Sequence, residues 1–288
     1  MGSLTVLLKN FLLPTILFFY KKLFGAGTKM SDVKDHKLII TSTLANRTPM
    51  DLFLFRSYDP LFLETPDGRD PRDSIPSISG KKFEPLPIHN SDNNESSKAW
   101  YALRCSSAAP FFFQPKDYFM DGGLIGNNPT CDVMEELHRY NKSRKQAGLK
   151  EYKIEVLCSI GTGKKPIENV DPDDIVFPNF EWINAFKFSQ AKKGLAAGKQ
   201  VGQMLFRSLS HAEDYIVRRA EAWCEMTNIN YFRCNTQLDR RVLLDEIDDE
   251  ILQSMLWDAQ QWTYQHKKEL KEMADLLMRS DEIYRCKE

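Results

Sequence analysis

The chain has 288 residues, 42% of them hydrophobic and 11% aromatic, which excludes a disordered polymer and suits one large domain or two small ones. Its formal net charge is -1, so no global electrostatic case for nucleic acid exists and charged partners must meet local patches. The six cysteines (Cys105, Cys131, Cys158, Cys224, Cys234 and Cys286) show no CxxC or Cys/His spacing; they predict buried free thiols of a reducing compartment rather than a zinc site or a disulfide framework.

Residues 4–20 are strongly apolar but interrupted by Lys9, Asn10 and Pro14. The stretch is shorter than the roughly 20 residues that span a bilayer and lacks the positive start of a signal peptide. Val6 stands where a myristoylation motif needs Ser or Thr. The expectation is a helix that is buried or lies along a membrane.

Residues 37–44 are short and β-branched and predict a buried strand. Asn46-Arg47-Thr48-Pro49 predicts a turn, and 51–58 a second strand. From 59 to 97 the chain is rich in Pro, Gly, Ser, Asp and Asn and reads as a long surface loop. A helix over 98–109 is ended by Pro110, and an aromatic strand over 111–120 leads into Asp121. Val133, Met134 and Leu137 give 130–140 helical spacing, whereas 153–160 alternates like a strand and stops at Gly161-Thr162-Gly163. Further on, 182–209 and 214–226 predict helices, 230–234 a strand, and 251–278 one long helix. Strands separated by helices predict an α/β sheet.

The informative string is Phe119-Met120-Asp121-Gly122-Gly123-Leu124-Ile125-Gly126-Asn127-Asn128-Pro129-Thr130. An isolated Asp-Gly is usually a turn. Here a strand delivers Asp121 into that turn, two glycines clear the space beside it, and a helix starts after Pro129. Such a carboxylate at the mouth of a sheet can act as a general base towards a serine.

This string resembles the second signature of the patatin-like phospholipase family. Ser106-Ser107-Ala108-Ala109-Pro110 is similar to that family too. Ser159-Ile160-Gly161-Thr162-Gly163, Ala222-Trp223-Cys224-Glu225-Met226, Tyr231-Phe232-Arg233 and Leu243-Leu244-Asp245-Glu246 look like the animal group VI calcium-independent phospholipases A2 of beta type. The resemblance runs from about residue 23 to 278. It implies a patatin-like sheet flanked by helices, and a serine acyl hydrolase that cuts glycerophospholipid esters. Its Ser-Asp dyad needs no histidine, metal or cofactor. Asp121, flanked by Gly122 and Gly123, matches the dyad's base. The implied division is an apolar non-family segment 1–22, the C-terminal part of a patatin-like domain over 23–280, and a tail 281–288.

Nowhere in the 288 residues does G-x-S-x-G, the family's nucleophile elbow, occur. The glycine-rich oxyanion loop has no match either. The front strands carrying the elbow are therefore expected to be missing, and the chain is expected to be a fragment, isoform or incomplete version of such an enzyme, inactive alone. Ser106 and Ser107 lack flanking glycines and do not replace the nucleophile. A catalytically dead regulatory module is the alternative.

Other signals are weaker. Gly161-Thr162-Gly163-Lys164 lacks phosphate-loop spacing and reads as a strand-ending turn. Residues 181–207 carry Lys187, Lys192, Lys193, Lys199 and Arg207 against Glu181, with Trp182, Phe186 and Leu195 at anchor-like spacing. A basic amphipathic helix of this kind can meet an anionic membrane or calmodulin, although a helix packed on the core with lysines outward explains it as well. The resemblance adds calmodulin, self-association and a phospholipid surface as partners, and a cytoplasmic, peripherally membrane-associated location. The five histidines (36, 89, 138, 211 and 266) form no metal spacing, and the acidic run from Asp245 to Glu250 reads as a helix cap rather than a calcium site.

Overall fold

The β-branched run of the sequence becomes strand β1 (Ile39–Leu44), which folds back on β2 (Asp51–Arg56) as an antiparallel pair with Leu44 opposite Asp51 and Ile39 opposite Arg56. The short strand β3 (Phe119–Asp121) joins the free edge of β1, antiparallel, with Ser42 opposite Asp121. The sheet order is therefore β2-β1-β3. The computed structural model describes residues 13–58, 97–110, 112–166, 212–240, 242 and 244–285. They divide into two units, Met1–Tyr152 and Lys153–Glu288.

In the first unit, helices α1 (Leu13–Phe24) and α2 (Ala99–Ser106) pack against each other, and α2 packs against β1 and β3. The core joins Leu44, Phe55 and Phe119 of the sheet to Trp100, Tyr101, Ala102 and Cys105 of α2. Phe53, Phe55 and Phe119 meet at ring-centroid distances of 4.9–5.1 Å, the spacing that aromatic quadrupoles favour. The N-terminal apolar stretch is helical where it is described. Leu17 and Tyr20 pack on the core, whereas Phe18, Phe19, Leu23 and Phe24 face solvent. Two further helices follow β3: the single turn α3 (Gly123–Gly126) and α4 (Thr130–Gln146).

The expected aromatic strand over 111–120 is much shorter than the sequence suggests. Among its described residues only Phe119 and Met120 belong to a strand. Pro115 offers no N–H to a ladder, and Asp117 takes a left-handed φ of 54°. Lys116 and Phe119 exchange backbone hydrogen bonds across this turn, at 3.0 and 2.9 Å.

In the second unit, β4 (Val156–Ile160) pairs in parallel with β5 (Asn230–Cys234), Val156 opposite Asn230 and Ile160 opposite Cys234. Parallel neighbours need a crossover, and the connection carries α5 (Tyr215–Met226), which packs on β5 and buries Ala220 and Cys224. The long helix expected over 251–278 is two helices, α6 (Asp249–Gln265) and α7 (Lys267–Arg285). At the break, His266 Nδ1 lies 2.9 Å from the Trp262 carbonyl and its ring stacks on Trp262 at 4.3 Å. The His266 backbone N–H donates to the same carbonyl at 2.9 Å, so ring and backbone share it where α6 ends. The result is a mixed α/β protein of small sheets flanked by helices.

None of the five described cysteines is in a disulfide. Cys105 and Cys224 are buried as expected, but Cys131, Cys158 and Cys234 are only half-buried. Cys158 and Cys234 lie beside each other across the parallel pair, and burial followed by this neighbour pushes the Cys158 thiol up to about 11. Among the described residues no helix is long and apolar enough to cross a membrane.

Candidate active site

Asp121 ends β3 and is pinned from two sides. From β1, Ser42 Oγ donates to the Met120 carbonyl at 2.7 Å and Thr43 Oγ1 to the Asp121 carbonyl at 2.8 Å. From the end of α2, the Ala108 carbonyl accepts from Asp121 N and the Ser106 carbonyl from Gly122 N, both at 3.1 Å. Ser42 and Thr43 are fully buried, and these two carbonyls satisfy their hydroxyls.

The two glycines have separate reasons. A Cβ on Gly122 would come within 2.4 Å of the Thr41 carbonyl oxygen, so only glycine lets the turn approach β1. Gly123 donates its N–H to Asp121 Oδ1 at 2.6 Å, and a Cβ there would press on that same oxygen at 2.9 Å. Asn128 Oδ1 accepts from Thr130 N at 3.3 Å and Thr130 Oγ1 at 2.6 Å, bracing the turn through Pro129 that leads into α4.

The Asp121 carboxylate is half-buried. One oxygen is held by Gly123; among the described residues the other has no hydrogen-bond partner. Burial raises its pKa above the ordinary carboxylate value, and the Gly123 N–H partly offsets this. A fixed carboxylate with one free oxygen and raised proton affinity has the chemistry of a general base.

The other sequence-predicted residues fall as follows. Ser106 lies beside the Asp121 turn through its carbonyl, and Ser107 Oγ accepts from the Tyr20 hydroxyl at 3.1 Å. Neither hydroxyl bonds Asp121 among the described residues. The glycine turn at 161–163 closes the parallel pair, with Gly161 N donating to the Cys234 carbonyl at 2.8 Å and Gly163 N to Asn235 Oδ1 at 2.7 Å. Asp248 caps α6, accepting from Glu250 N and Ile251 N. His36 and His138 are exposed. The basic stretch 181–207, the loop 59–96, Cys286, His89 and His211 lie outside the described residues. Among the described residues no group of three or more His, Cys, Asp or Glu side chains could hold a metal ion.

Sequence reasoning missed a buried ion pair. Arg56 donates to both oxygens of Glu136, at 2.5 and 2.8 Å, and the Tyr58 hydroxyl donates to the same carboxylate at 3.0 Å. Glu136 is only 3% exposed. The available signal is its place on α4, three residues after Val133 and four before Tyr140, in line with the inward stripe.

No family model matches the chain. Among curated proteins it is 38% identical over 263 residues to the 85/88 kDa calcium-independent phospholipase A2 of Rattus norvegicus, covering 90% of this chain and 30% of that protein. It is 26% identical over 265 residues to an intracellular phospholipase A2 of Caenorhabditis elegans, covering 90% of the chain and 21% of the relative. It is 24% identical over 152 residues to patatin-like phospholipase 1 of Plasmodium falciparum, covering 48% of the chain and 19% of that protein. The chain thus spans under a third of the length of each of these relatives. Matched over nine tenths of its own length, it is a relative of the patatin-like, calcium-independent phospholipases A2.

Proposed function

We propose that the chain is part of a serine lipid acyl hydrolase that cuts glycerophospholipid esters without calcium. Asp121 is its general base. The observation that carries this is the half-buried Asp121 carboxylate, one oxygen held by the Gly123 N–H at the glycine turn that ends β3 and the other without a hydrogen-bond partner among the described residues, in a chain 38% identical to a calcium-independent phospholipase A2. In the reaction, Asp121 takes the proton of a serine hydroxyl as its oxygen attacks the ester carbonyl. The acyl group passes to that serine, and water then releases it as a fatty acid. The serine belongs to a G-x-S-x-G elbow that these 288 residues do not contain, so the chain alone forms no acyl-enzyme.

A second reading is favoured by that same missing motif beside an intact Asp121 turn: a catalytically dead form that regulates a complete enzyme by associating with it. Two features suit work at a phospholipid surface. They are the exposed Phe18, Phe19, Leu23 and Phe24 of α1, with Lys21 and Lys22 in its last turn, and the basic stretch from Trp182 to Arg207, which also suits calmodulin.

The test is fatty-acid release from phosphatidylcholine vesicles in a calcium chelator, by the 288-residue chain and by Asp121→Asn. Release at background by both is the expected result. An active parent with a dead Asp121→Asn would show that another serine completes the dyad and overturn the inactivity. Equal activity in both would overturn the role of Asp121. Added to a complete calcium-independent phospholipase A2, the chain changes that enzyme's rate only if the regulatory reading holds.

A further inference from the structure

Three tyrosines of the first unit converge on one cation. Lys37 Nζ lies 5.3 Å from the ring centroid of Tyr58, 5.4 Å from that of Tyr140 and 5.6 Å from that of Tyr152. Tyr140 and Tyr152 are parallel at 6.0 Å, and Tyr58 stands edge-on to Tyr140 at 5.5 Å. The three rings come from two residues past β2, from α4 and from the segment after it, so tertiary folding alone assembles them.

Each wall is fixed by its own contacts. The Tyr58 hydroxyl is tied to the buried Glu136 carboxylate at 3.0 Å. Tyr140 is 8% exposed. Tyr152 is clamped through its backbone by Asn141, which accepts from Tyr152 N at 2.8 Å and donates to the Tyr152 carbonyl at 2.6 Å. Such rigidity lowers the entropy cost of binding.

Elsewhere in the same unit Lys21 Nζ approaches Trp100 to 4.5 Å, and the Arg144 guanidinium approaches the outer ring Tyr152 to 4.2 Å. Lys37 stands farther from all three of its rings and almost equidistant from them, so no single ring face holds it. Its ammonium faces no carboxylate at ion-pair distance among the described residues, and the residue is exposed. Its long stem can therefore carry the charge out of the cage.

We propose that Tyr58, Tyr140 and Tyr152 form a binding site for the trimethylammonium of a phosphocholine group, with Lys37 as a displaceable internal occupant. Aromatic cages recognise quaternary ammonium through the ring faces. Once displaced, Lys37 pairs with the adjoining phosphate, and Arg144 on Tyr152 supplies a second positive charge beside it. The site stands on the tyrosine geometry and does not rest on Asp121. Its test reads binding rather than hydrolysis, so either reading can fail without the other.

The experiment is calorimetric titration of the whole chain with phosphocholine, with tetramethylammonium and inorganic phosphate as the two half-ligands. Phosphocholine should bind saturably and more tightly than either half. Lys37→Gln should bind tetramethylammonium about fivefold more tightly than the parent, because no internal cation competes for the rings. Tyr152→Leu should lose the gain over inorganic phosphate, and Tyr152→Phe should keep it. Should Tyr152→Leu fail to fold, the Lys37→Gln and Tyr152→Phe pair still decides. Flotation with phosphatidylcholine vesicles, released by free phosphocholine, assigns the ligand to a lipid headgroup; binding of the free compound alone assigns it to a soluble one. Phosphocholine that binds no better than phosphate, or equal tetramethylammonium affinity in the parent and Lys37→Gln, overturns the site.

Discussion

Single side chains decide the chemistry of Asp121 and much of the stability around it. Folding raises the Asp121 pKa, so the folded chain holds that proton more tightly than the unfolded chain. Protonation therefore favours the fold. This contribution is complete below the ordinary carboxylate value of about 4 and is lost as pH rises through the folded value. Asp121→Asn removes the titration, so its urea-unfolding stability relative to the parent should improve from acid towards neutral pH. A relative stability that stays flat with pH would show that burial does not perturb this carboxylate. Gly122→Ala should cost about 1–3 kcal/mol in the same assay, because its Cβ meets the Thr41 carbonyl at 2.4 Å. For the buried pair, Glu136→Leu strands the Arg56 charge and should cost about 3 kcal/mol or more, whereas Arg56→Met with Glu136→Leu should recover most of it. The double-mutant cycle gives the coupling directly. At this scale Asp121, Gly122 and Gly123 were legible in the sequence because turn chemistry is local. Glu136 was not, since its partner lies 80 residues away on β2.

The elements show where local pattern is enough and where it is not. Strands β1, β2, β4 and β5 and helices α2 and α5 fall within a few residues of their apolar periodicities, because period 2 and period 3.6 are written into neighbouring residues, whereas α4 runs six residues past the expected 140. The helix cap at Asp248 was equally legible. Asp248→Ala should cost about 1 kcal/mol of stability, seen as lower helicity and a lower melting temperature by circular dichroism. The break at His266 escaped the periodic reading, because the apolar spacing runs through it. The strand ahead of Asp121 was read too long for a related reason. Aromatic content argued for extension, but Pro115 and the left-handed Asp117 bend the chain before β3 begins.

Across the whole molecule, exposed apolar surface is unevenly spread. In the second unit Leu244, Ile247, Leu256, Trp257, Tyr264 and Met278 are all more than 60% exposed, more than scattered surface residues need. Replacing Leu256 and Trp257 by Gln should lower the fluorescence of a hydrophobic dye and leave the helical signal unchanged. No change in dye binding would mean that this face does not reach solvent. The sequence by itself determined the mixed α/β class, the Asp-Gly-Gly turn, the lack of a G-x-S-x-G elbow and the phospholipase resemblance, all of which rest on residues close in the chain. Only the tertiary structure decided that Ser42 and Thr43 hold the Asp121 turn, that Glu136 is buried against Arg56, and that three distant tyrosines share one lysine. Those contacts join residues many positions apart. No local preference encodes them, because burial and long-range hydrogen bonding select partners only once the elements have packed.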